Sequence, residues 1–285
     1  MSSPAPDGPG AAGPLDQAGK LGLVELGERP YQEMLAAQED LVAARRRREI
    51  PDLLLILEHP PVFTRGRRSE PDDLGRPPEW YEERGIAVCD TPRGGKVTYH
   101  GPGQLVAYPI INLDQIGTRS DAGGRIAVAR FVSSIEQAMA RTLDRVGIQA
   151  TAIAGLTGLW TSSERPIPED ATGESMSREV ANGQIAKIAS IGLLISRGIS
   201  SHGLSINVSC DLDPFSWITS CGIEQCRITS VARELAGGES TEPVPSVNDL
   251  GRQLAGDLAA ILGLGPVSEL DPDEIGLSSA VAPTA

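Results

Sequence analysis

The segment Ser220-Cys221-Gly222 sets a cysteine after the run Ile218-Thr219 and before a glycine. A thiolate is a strong nucleophile once a neighbouring base or cation favours it. Without such a neighbour a cysteine simply packs as a small hydrophobe. A suitable partner stands in Ile185-Ala-Lys-Ile-Ala-Ser-Ile-Gly-Leu-Leu194, where Lys187 is flanked by Ile185, Ala186, Ile188 and Ala189. A lysine held in apolar surroundings can exchange a proton or poise a thiol. On the solvent face of a half-buried strand it would do neither.

A third stretch, Arg93-Gly-Gly-Lys-Val-Thr-Tyr-His-Gly-Pro-Gly-Gln104, is dense in glycine. Glycine lets a backbone approach a ligand closely. His100 falls between a strand and a tight turn, a usual place for functional side chains and equally for an ordinary hairpin. The spacing matches neither a phosphate-binding loop nor a dinucleotide fingerprint. No Gly-x-Ser-x-Gly elbow is present. Cys221 and Cys226 are too far apart for a zinc knuckle and lack a second pair. No metal is therefore expected.

These residues need a scaffold. Leu53-Leu-Leu-Ile-Leu57 reads as a buried strand, ended by Glu58-His-Pro-Pro61 because proline cannot continue a ladder. Ile86–Cys89, Lys96–Tyr99, Gln104–Ile111, residues 151–161, residues 184–197 and His202–Val208 read as further strands, two of them around the Gly-Pro-Gly turn. A first helix starts near Pro30, with Tyr31, Leu35, Gln38 and Val42 along one face, and ends in a solvated basic run, Arg45 to Arg48. Residues 125–147 form an amphipathic helix whose stripe is Val128, Val132, Ile135, Met139, Leu143 and Val146, with Gly147 as its stop. Ser246 and Asp249 resemble a capping box for a last helix through Leu250, Leu254, Leu258 and Ile261. Helices and strands mix without strict βαβ alternation, so the expected class is α+β: a mixed β-sheet flanked by helices.

Residues 1–19, rich in Pro, Gly, Ala and Ser, read as a disordered tail, and residues 266–285 as a flexible one. One catalytic domain is expected over 20–265, with 162–183 as a mobile surface insertion. The net charge of -13 argues against nucleic acid and against a general affinity for anionic membranes. No basic region followed by an apolar run opens the chain, and Leu53–Leu57 is far too short to span a bilayer. A cytoplasmic protein with free thiols is the expectation.

Taken together the motifs resemble the octanoyltransferase family of the biotin/lipoate ligase superfamily. They are His59-Pro-Pro-Val-Phe-Thr-Arg-Gly66, the Arg93 to Gln104 run, Lys187-Ile-Ala-Ser-Ile-Gly192, His202-Gly-Leu-Ser-Ile-Asn-Val208 and Ser220-Cys-Gly222. Order and spacing agree from about residue 22 to 235. The resemblance implies a biotin/lipoate protein ligase-like catalytic domain that takes octanoate from octanoyl acyl carrier protein. The acceptor would be a lysine of the lipoyl domains of 2-oxoacid dehydrogenase complexes or of the glycine cleavage H protein. It implies that Cys221 carries the acyl thioester and that Lys187 activates that cysteine. It further implies that Arg93, Gly94, Gly95, Lys96, Val97, Thr98, Tyr99, His100, Ser190, Ile191, Gly192, Gly203, Leu204 and Ser205 line the acyl site. No cofactor and no ATP are implied, because a thioester donor is already activated. An ATP-dependent ligase of the same fold is the competing reading, but it would need a nucleotide loop that the sequence does not display. Ser220 departs from the proline common before the family's cysteine. Arg65, Arg67, Arg68 and Arg76 are candidates for docking an acidic carrier protein.

Overall fold

Five consecutive aliphatic residues suit a strand that is covered on both faces. In the computed structural model, which describes residues 19–116, 127–162, 164–219, 226–238 and 243–277, Leu53 to Leu57 lie in strand β2 (Asp52–Glu58) and none is exposed. Leu54 and Ile56 join a core with helices α3 (Val128–Asp144) and α6 (Val247–Leu262). Leu53, Leu55 and Leu57 join a second core with α1 (Tyr31–Arg46). At about 25 cal/mol per Å² of apolar surface, this two-sided burial is the main stabilising term.

Strand β2 sits inside an eight-stranded sheet. Its order is β11 (Val267–Glu269), β1 (Leu21–Glu28), β2, β6 (Gln104–Ile110), β10 (Ile199–Asn207), β9 (Ile185–Ser196), β8 (Leu156–Ser162) and β7 (Thr151–Ile153). β11, β1 and β2 are parallel and the remaining pairs antiparallel, so the sheet is mixed as expected. A three-stranded sheet, β4 (Ala87–Asp90), β3 (Val62–Arg65) and β5 (Val97–His100), stands beside it. Short helices α2 (Pro78–Glu82), α4 (Ser177–Ala181) and α5 (Val231–Gly237) complete the fold. Among the described residues no helix is long and apolar enough to cross a membrane.

Several expectations change. The strands flanking Gly101-Pro102-Gly103 do not form a hairpin: β5 pairs with β3, whereas β6 pairs with β2 and β10. The turn carries the chain from the small sheet to the large one, with Gly103 N–H donating to the Glu58 carboxylate at 2.5 Å. Residues 151–161 make two antiparallel strands, β7 and β8, because Gly155 takes a φ of 88° and reverses the chain. The buried face of α1 is Tyr31, Met34, Gln38, Leu41 and Arg45, leaving Leu35 and Val42 half-buried beside it. Arg45 is not solvated. It is 1% exposed, and its guanidinium donates to Asp52 at 2.7 Å and to Gln115 at 2.6 Å. In α3 the buried stripe is centred on Phe131, Ile135, Ala138, Met139 and Leu143, while Val128 is exposed. The last helix is capped as read, Ser246 Oγ accepting from Asp249 N–H at 3.0 Å.

The stretch expected to trail off after residue 265 adds a strand instead: β11 pairs with β1, and Ile275 is buried beyond it. A short parallel strand at a sheet edge has little signal of its own in sequence. Within 162–183, Ala171, Met176 and Val180 pack with Ile153, Trp160 and Ile185 as a small core of their own.

The two sheets meet at a buried polar seam built on His59 and His100, and the third histidine of the chain, His202, is buried on β10. His59 and His202 are 0% and 3% exposed, and His100 is 7% exposed. His59 Nδ1–H donates to Arg29 C=O at 2.5 Å, which leaves Nε2 to accept from the Tyr108 hydroxyl at 2.7 Å. His100 Nδ1–H donates to Gln104 Oε1 at 2.6 Å, and the Gln104 amide donates to Asn207 at 2.8 Å. Tyr31 stacks on His100 and meets His59 edge-on. Burial pushes His59 down to about 4 and His202 to about 4, and burial together with the nearby His59 pushes His100 to about 3. All three are therefore neutral when folded at neutral pH. Unfolding exposes them, and below the ordinary histidine value of 6.5 the unfolded chain binds protons that the folded chain excludes. Stability is thus complete above that value and falls towards pH 4, by about 1.4 kcal/mol per pH unit for each histidine. Urea midpoints at about pH 7 and about pH 5 test this; equal midpoints would contradict neutral burial.

Candidate active site

Lys187 lies on β9 with only 4% of its surface exposed. Strand β8 runs alongside, and Trp160 is its direct cross-strand partner. The Lys187 ammonium lies 5.1 Å from the centre of the Trp160 ring and donates to Thr157 C=O at 2.7 Å. A cation–π contact and a carbonyl dipole are what a desolvated ammonium needs. The close approach depends on Gly158. It takes a φ of 107°, and any Cβ there would run into Ala189 C=O and the Lys187 side chain. A register shift between Leu159 and Trp160 accompanies it.

The backbone of Lys187 has a second role. Its N–H donates to Arg227 C=O at 2.8 Å, and its C=O accepts from Thr229 N–H at 2.9 Å. The chain after residue 225 is thereby laid parallel along β9 at this one residue. On the other side, Thr219 N–H donates to Asp73 C=O at 2.8 Å, and Asp73 also pairs with Lys96 at 3.1 Å. Cys221 lies outside the described residues, between these two anchors in sequence.

A cavity of about 750 Å³ opens at Lys187. This lies within the roughly 300–1,000 Å³ usual for small-molecule sites. Of the residues expected to line an acyl site, Arg93, Gly94, Gly95, Lys96, Val97, Thr98, His100, Ser190, Ile191, Gly192, Gly203, Leu204 and Ser205 border it. Tyr99 does not. It is 3% exposed and packs with Phe63 and Phe215 in the small sheet's aromatic core.

The glycine-rich run is pinned by Arg93, which is 7% exposed and donates to Thr64 C=O at 2.6 Å and Thr64 Oγ1 at 2.8 Å. Gly94 N–H then docks on Leu193 C=O at 2.9 Å. A side chain at Gly192 would meet Arg93 and Gly94, and one at Gly203 would overlap Ala107 C=O. These glycines bring the backbones together; they do not form a phosphate cradle.

The cavity wall also contains residues that the sequence did not single out for the site. Leu156, Trp160, Val128 and Val132 add apolar surface, while Tyr31 and Tyr108 border it from the polar seam and His202 from β10. Trp160 is legible in retrospect as the neighbour of a buried lysine. Thr157 contributes only its main chain and leaves no sequence signal. Of the four arginines considered for docking, Arg67 and Arg68 are exposed and border the cavity. Arg65 is tied to Asp90 at 2.8 Å, and Arg76 lies against Trp80. Among the described residues, no cluster of three or more His, Cys, Asp or Glu could hold a metal ion.

Residues 30–255 match the family model of the lipoyl protein ligase A/B catalytic domain. An octanoyltransferase of Acidobacterium capsulatum is 41% identical over 215 residues, covering 75% of this chain and 80% of that protein. One of Chloroflexus aurantiacus is 38% identical over 242 residues, covering 85% and 93%. The bipartite lipoate protein ligase of Thermoplasma acidophilum superimposes with a TM-score of 0.60 at 14% identity, covering 90% of each chain, and shares the fold. The chain belongs to the octanoyltransferase family of acyltransferases, whose catalytic domain is that of the lipoyl protein ligases A and B.

Proposed function

We propose that this enzyme takes an octanoyl group from acyl carrier protein onto Cys221 and passes it to a lysine of lipoyl domains. Those of 2-oxoacid dehydrogenase complexes and of the glycine cleavage H protein are the acceptors. The observation that carries the reading is the double use of Lys187. Its side chain reaches the cavity wall, and its backbone holds Arg227 and Thr229, which follow Cys221 in sequence. A cation beside a thiol favours the thiolate.

In the first step the Cys221 sulfur attacks the donor's carbonyl carbon. The new C–S bond forms as the bond to the phosphopantetheine sulfur breaks, and that thiol leaves with the proton that Cys221 gives up, passed through Lys187. In the second step the acceptor amine attacks the same carbon. A C–N bond forms, the C–S bond to Cys221 breaks, and the amine's proton passes through Lys187 to restore the starting state. Activation comes from the thioester, so neither ATP nor a metal is called for. The partly apolar wall of Leu156, Trp160, Val128 and Val132 suits an aliphatic chain.

Intact-mass analysis after incubation with octanoyl acyl carrier protein tests the intermediate. One hydroxylamine-labile octanoyl adduct is expected, absent from Cys221→Ala. Transfer that occurs only with octanoate and ATP would overturn the reading in favour of a ligase. For docking, exposed Arg67 and Arg68 offer positive charge to an acidic carrier. Reversing both to Glu is expected to raise the KM for acyl carrier protein severalfold and to flatten its salt dependence, with kcat little changed. An unchanged KM would dismiss the patch.

A further inference from the structure

One peptide group links Lys187 to a carboxylate that the mechanism above does not use. The carbonyl of the Thr157–Gly158 peptide accepts from Lys187 Nζ at 2.7 Å. The N–H of that same peptide donates to Glu136 Oε1 at 3.1 Å. Glu136 stands on α3, half-buried, next to buried Ile135 and one turn before buried Met139. We infer that Glu136 is a positioning residue for the transfer reaction, acting on Lys187 through the Thr157–Gly158 peptide.

The physics is that of a polarised chain. A carboxylate on the N–H end of a peptide draws its electrons towards the C=O end, and linked hydrogen bonds in a low-dielectric site strengthen one another. The carbonyl facing Lys187 therefore holds the ammonium more firmly than an isolated peptide would. Geometry adds to this. The positive φ of Gly158 is a conformation that few other residues adopt, and the Glu136 bond fixes the plane of the peptide. Burial raises the Glu136 carboxyl above its ordinary value, and the Gly158 N–H and the charge of Lys187 pull it back. The carboxylate and the lysine thus sense each other electrostatically across the peptide. Without Glu136 the peptide can rotate, and the ammonium loses its fixed place at the cavity wall.

This inference rests on the assignment of Lys187 proposed above, and the test separates the two. The full-length enzyme is assayed with octanoyl acyl carrier protein and a lipoyl domain as Glu136→Gln, Lys187→Ala and the double variant. Glutamine keeps an acceptor for the Gly158 N–H but removes the charge. The expected result for Glu136→Gln is a kcat about tenfold lower, the scale of one charge-assisted hydrogen bond, with both KM values unchanged. The double variant should lose no more than Lys187→Ala alone, since both changes cut the same path. Wild-type kcat in Glu136→Gln, or losses that multiply in the double variant, would overturn the inference. A fully active Lys187→Ala would instead sink the assignment of Lys187. If Glu136→Gln melts at a clearly lower temperature, Glu136→Ala is assayed with added formate. Recovery of kcat by formate and not by formamide supports the inference, and no recovery counts against it.

Discussion

The bond from Lys187 Nζ to Thr157 C=O depends on several parts of the fold at once. A lysine with 4% of its surface exposed is costly to bury, and well-placed dipoles offset the lost hydration. The carbonyl is available because β8 shifts register at Leu159 and Trp160, and the strands come close because Gly158 has no side chain. Strand β9 is in turn held by β10, which lies against β6 at a glycine that no larger residue could replace. The path from Lys187 thus runs through neighbouring strands to β2, where both hydrophobic cores meet.

The small sheet plays a different part. It carries Arg93 and the glycine-rich run, and it is joined to the large sheet through the Gly101–Gly103 turn and the histidine–tyrosine seam. Polar seams of this kind are costly when half satisfied and specific when complete. Here the hydrogen bonds from Arg29 through His59 to Tyr108, and from His100 through Gln104 to Asn207, set the position of β5 relative to β6. One wall of the cavity is consequently polar and rigid, whereas the wall near Val128 and Leu156 is apolar.

Much of this was legible in the residues. The aliphatic run at β2 carried its own evidence, because a strand buried on both faces has no polar positions. The cap at Ser246 and the stop at Gly147 were equally readable, since each depends on one residue's local chemistry. Local reading failed where a neighbour from far along the chain decided the outcome. Arg45 looked solvated until Asp52 was brought against it, and Tyr99 looked like a site residue until it packed into the small sheet's aromatic core. The stripe on α1 runs through Met34 and Leu41 rather than Leu35 and Val42, because those are the side chains that the fold packs into the second core.

The motifs, through their resemblance to a known family, pointed to the family and to about half of the residues around the cavity, and the mix of helix and strand patterns pointed to the α+β class, because such patterns are local and survive in one dimension. Only the tertiary structure decided that β5 and β6 belong to different sheets, that a strand follows residue 265, and that Thr157 and Glu136 attend Lys187. The physical reason is that these are matters of long-range pairing. A main-chain carbonyl has no identity in sequence, and a glutamate on a helix becomes particular only when the fold brings a peptide N–H to it.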